Sequence, residues 1–63
     1  MYESKQITKK ANDLTKHESF SWLAKELGID HRTLKKRIEF HTWLLSEAET
    51  ITIFHQNLKN QLT

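Results

Sequence analysis

The sequence predicts an all-α fold, a compact four-helix domain spanning residues 1–63. Three observations predict it. Proline is absent and glycine occurs once in 63 residues, which is poor material for a turn-rich β fold and good material for short helices. Apolar residues recur at helical spacing in four separate stretches. Ser19, Asp30 and Ser46 stand where helix caps are wanted. A chain of this length is one domain at most, and folding buries only about 60% of its unfolded surface.

The first helix is expected from about Ser4 to Lys16, with Ile7, Ala11 and Leu14 on its inner face. Lys5, Lys9 and Lys16 fall on the opposite side at ~100° per residue. The second starts after Ser19 and turns Phe20, Leu23, Ala24 and Leu27 inward. Trp22 lies off that face, either half-buried against a neighbouring helix or exposed at an interface. Gly28 closes this helix, because glycine accepts the left-handed conformation that ends helices. Ile29 supplies the apolar contact that locks the turn, and Asp30 caps the third helix. The connection is then about three residues long, so the two helices cross steeply and share a core.

The third helix is expected from His31 to about Trp43, with Leu34 and Ile38 facing the core. Arg32, Lys35, Lys36 and Glu39 share the opposite arc. The fourth opens at "SEAE", where Ser46 and Glu49 have the capping-box spacing. Ala48, Ile51, His55, Leu58 and Leu62 follow one face, with Phe54 beside it and Ile53 on the far side. The run "TITIF" also has strand propensity, but the helical period continues past it to Leu62.

Charge is modest overall, +2, and unevenly spread. Lys5, Lys9, Lys10 and Lys16 outweigh Glu3 and Asp13, and Arg32, Lys35, Lys36 and Arg37 outweigh Asp30 and Glu39. Such clusters suit a polyanion partner or a solvated surface braced by pairs such as Lys35–Glu39. Cysteine is absent, which excludes disulfides and thiolate metal sites. The four histidines show no i,i+3 or i,i+4 pairing, so no metal or other cofactor is expected. There is no Gly-rich phosphate loop and no nucleophile set beside a base, and an enzyme acting on a small-molecule substrate is not expected. No apolar run approaches the ~20 residues of a membrane span and no signal-peptide core is visible, so a cytoplasmic location without a membrane partner is expected.

The most specific constellation is Trp22–Ile38. Ala24 stands four residues before Gly28, Leu27 and Ile29 flank it, Asp30 follows by two, and Leu34 and Ile38 follow by six and ten. This pattern resembles the helix-turn-helix of small bacterial and phage DNA-binding proteins. The segment "LGIDHRTLKKRIE" is also similar to recognition helices of Fis-type regulators, resolvases and invertases. The resemblance covers about 20 of the 63 residues. Chain size is similar to that of phage Cro-type repressors, although Phe20 stands where those proteins often carry Gln or Thr.

The resemblance implies a single helix-turn-helix DNA-binding domain whose second helix enters the major groove of double-stranded DNA. Base contacts would come from His31, Arg32, Lys35 and Lys36, with Arg32 and Lys35 suited to guanine O6/N7. Ser19, Ser21, Thr33, Arg37, Lys5 and Lys9 are the candidate phosphate contacts. A chain this small covers half a site, so a homodimer is expected. Its candidate surface is Phe40, Trp43, Leu44 and Ile53, the alternative being that the first three pack under the fourth helix. The implied role is transcriptional regulation, as a repressor of phage or mobile-element type. Alternatives are a recombination accessory factor (an excisionase or recombinase DNA-binding domain) and a protein-interaction module such as an antirepressor.

Overall fold

Each of the first three helices begins at a short polar residue whose side chain satisfies a free backbone N–H. The computed structural model describes residues 1–62, the side chains of Tyr2 and Leu62 excepted. Ser4 accepts from the Ile7 N–H at 3.2 Å and opens α1, Lys5–His17. Ser19 accepts from the Trp22 N–H at 2.9 Å and opens α2, Phe20–Leu27. Asp30 accepts from the Thr33 N–H at 2.7 Å and opens α3, His31–Phe40.

The fourth helix, α4, Leu45–Leu62, starts two residues earlier than its "SEAE" motif indicated. Leu44 occupies the cap position, and its carbonyl accepts from the Ala48 N–H at 3.0 Å. Glu47 reaches back to the Leu44 N–H at 2.9 Å. This is half of a capping box, the acidic half. Ser46 is exposed inside the helix and is not its cap. The β-branched "TITIF" run is helical throughout, as its period required.

The third helix is shorter than its apolar pattern suggested. It ends at Phe40 because His41 adopts the left-handed conformation, φ 56°. The chain then runs extended over Thr42–Trp43 (β2), which pairs antiparallel with Tyr2–Glu3 (β1), Trp43 opposite Tyr2 and Thr42 opposite Glu3. The Ser4 N–H donates to the His41 carbonyl at 2.7 Å and continues this ribbon. Two-residue strands carry no readable alternation, so the ribbon was not foreseen. The domain remains an all-α four-helix unit.

The core comprises Ile7, Ala11 and Leu14 of α1, Leu23 and Ala24 of α2, Leu34 of α3, Trp43, and Ala48, Ile51 and Leu58 of α4. Burying Leu23, Leu34 and Ile51 completely contributes about 2 kcal/mol each. The Leu62 position expected on the same face lies outside the described side chains. Trp22 is half-buried, its ring 5.2 Å from that of Phe54. Trp43 is the largest fully buried side chain, which corrects its assignment to a dimer surface. Indole carries a polar N–H that burial must satisfy, and Trp43 Nε1 donates to Thr8 Oγ1 at 3.1 Å. His41 Nδ1 approaches the same oxygen at 3.0 Å. Thr8 Oγ1 in turn lies 3.3 Å from the Ser4 carbonyl, to which it donates. One buried hydroxyl therefore ties α1 to the ribbon and to the end of α3.

Candidate nucleic-acid interface

The corner between α2 and α3 is set by three consecutive residues. Gly28 sits at φ 70°. Its N–H donates to the Lys25 carbonyl at 3.1 Å, and the Ile29 N–H donates to the Ala24 carbonyl at 3.0 Å. These paired bonds close α2 in the Schellman arrangement. Ile29 packs against the core. Asp30 then opens α3, and the hydrogen bond from the Thr33 backbone holds its carboxyl below the ordinary 3.8. The cap is therefore intact at neutral pH. It weakens only as acid protonates Asp30, since a depressed carboxylate pKa favours the fold above that range.

With Leu34 buried and Ile38 packed on the core, the helical period turns the other side of α3 outward. His31, Arg32, Lys35, Lys36 and Glu39 are all exposed. Among the described residues, Arg32, Lys35 and Lys36 make no ion pair, and the Lys35–Glu39 brace is absent. Three cations thus stand without a close ion pair within five residues of one short helix, Arg32 feeling the Asp30 carboxylate at longer range. His31 meets Phe20 edge-to-face, ring centroids 5.6 Å apart. Phe20 therefore orients the first side chain of α3, a role that its apolar character at the start of α2 did not announce.

The expected backbone-contacting set divides. Ser19, Ser21, Lys5 and Lys9 are exposed, although the Ser19 oxygen already caps α2. Thr33 is half-buried. Arg37 is drawn inward and is no free phosphate ligand. Its Nε donates to Glu47 Oε1 at 2.9 Å, the side chains being 18% and 4% exposed. Arg37 lies nearer the core edge of α3 than Lys36, and the buried carboxylate ten residues on captures it. Glu47 Oε1 accepts from both the Arg37 Nε–H and the Leu44 N–H, and these two bonds together compensate for burying that charge.

Phe40, Leu44 and Ile53 are 58%, 42% and 60% exposed, so these three members of the expected dimer surface are accessible and Trp43 alone is withdrawn. Leu45, 66% exposed, joins them as an accessible apolar residue that the expected surface did not include. On α1, Asp13 pairs with His55 of α4 at 3.1 Å. Among the described residues, no cluster of three or more His, Cys, Asp or Glu is arranged to hold a metal ion. Among the described residues, no helix is long and apolar enough to cross a membrane.

No protein-family model matches this chain, and neither a curated protein nor a solved structure is detectably similar to it.

Proposed function

We propose that the chain is a sequence-specific double-stranded DNA-binding protein that seats α3 in the major groove and regulates transcription, as a repressor of phage or mobile-element type. The observation that carries this reading is the exposed face of α3. Arg32, Lys35 and Lys36 are solvent-facing and unpaired beside His31, on a helix capped at its start and anchored by Leu34. A solvated surface helix gains from pairing its charges with neighbours, and this one leaves them free although Glu39 is within helical reach.

In the groove, Arg32 presents a planar fork that matches the O6 and N7 acceptors of guanine. Lys35 and Lys36, one turn further along, supply point charges to base edges or to the flanking phosphates. His31, held by Phe20, meets the groove at the helix entrance. Ser21 and the N-terminus of α2 face the phosphate backbone, and repression follows by occluding a promoter. The function needs no cofactor and no small-molecule substrate, and its compartment is the cytoplasm.

Selection from a random duplex library at physiological salt tests this. An enriched sequence is expected. Arg32→Ala then lowers affinity for it by ~1–3 kcal/mol and relaxes preference at one base position. Binding that is weak, salt-sensitive and without enrichment overturns the reading.

A further inference from the structure

We infer that the exposed apolar face of α4 is a self-association surface on which a second copy of this chain packs antiparallel through a two-fold axis. Leu45, Ala48, Glu49, Thr52 and Ile53 line a shallow groove on this helix. Leu45, Ala48, Glu49 and Thr52 stand at i, i+3, i+4 and i+7, the four corners of a hole that accepts a side chain from a facing helix. The corners Ala48 and Thr52 are small, and Ala48 is only 3% exposed and forms the floor. Ile53, 60% exposed, stands beside the hole as a knob.

Knob and hole on one face are what an isologous contact requires, because each copy must offer both. Placing Ile53 of each copy over the other's hole puts the two-fold axis between Glu49 and Thr52. Leu45 then covers the outer end of the contact, opposite the partner's middle turns. Glu49 is the single charge lining the groove and no cation lines it, so it suits neither nucleic acid nor an anionic membrane.

The area is sufficient for a weak dimer. Leu45 and Ile53 with the groove floor present on the order of 200–300 Å² of apolar surface. Two-fold pairing buries it twice, an area below the ~1,200 Å² of standard stable interfaces and in the range of weak association. The surface lies on α4 and not on α3, so self-association is measurable in the absence of DNA.

Sedimentation equilibrium of the full chain across micromolar concentrations reads it directly. A monomer–dimer equilibrium is expected, with Leu45→Lys and Ile53→Lys each weakening it at least tenfold while circular dichroism stays unchanged. The chain has no cysteine, so Thr52→Cys is expected to cross-link under a short bismaleimide and Lys25→Cys is not. A chain that stays monomeric throughout overturns the inference, and so does a dimer indifferent to both lysine variants. A dimer that selects no DNA sequence leaves this inference standing and removes the functional one.

Discussion

Arg37 and Lys36 are adjacent cations with opposite fates. Lys36 ends in water. Arg37 is held by a carboxylate that is 4% exposed and also caps α4 through the Leu44 N–H. Removing one partner of a buried pair leaves an uncompensated charge, which costs far more than losing a surface cation. Arg37→Ala is therefore expected to destabilise the fold by about 3 kcal/mol, and Lys36→Ala by under about 0.5 kcal/mol. Paired thermal melts of the two variants check this. Equal melting temperatures would return Arg37 to the DNA-facing set. The residue was assigned to phosphate because charge type alone does not say where a long side chain ends. Its destination depends on Glu47, ten positions away, whose burial was not legible before α4 was seen packed.

At the scale of elements, caps and turns were readable and lengths were less so. Ser19, Gly28 and Asp30 perform the roles that local backbone chemistry requires of their types, and α2 and the turn after it have the expected bounds. Gly28 has open space around a would-be Cβ, with nothing within 4 Å, so its requirement is conformational alone. Gly28→Ala is expected to cost about 1–2 kcal/mol from the left-handed strain, measured by denaturant titration. A loss near zero would show that the corner relaxes to another turn. At the end of α3, His41 takes the same conformation without being glycine, which its side-chain contact with Thr8 and the ribbon hydrogen bond offset. Nothing in the local sequence marks that stop, so the apolar pattern ran α3 on to Trp43. The same error drew the cap of α4 two residues late, at Ser46, and placed Trp43 on a surface.

For the whole molecule, the two proposed surfaces carry different chemistry. The α3 face is cationic, and the α4 face is apolar with a lone Glu49. DNA affinity is therefore expected to fall steeply with salt, as condensed counterions are released. If α1 also meets phosphate, Lys5→Ala and Lys9→Ala each weaken all duplexes alike and reduce the salt slope by about 1. Affinity measured across a salt series checks this, and unchanged slopes would confine the interface to α2 and α3. Dimerisation through α4 would bring two α3 helices onto one duplex and favour an inverted repeat among selected sequences.

The sequence by itself determined the helical class, three of the four helix starts, the α2–α3 corner and the exposed cations of α3. Each depends on side chains within about one turn of one another, where spacing and backbone chemistry suffice. The tertiary structure alone decided the end of α3, the burial of Trp43 on Thr8, the capture of Arg37 by Glu47 and the exposure of Leu45 beside Ile53. Each of these depends on which distant segment meets which. A buried hydroxyl or carboxylate acquires its partners only when the helices close around it.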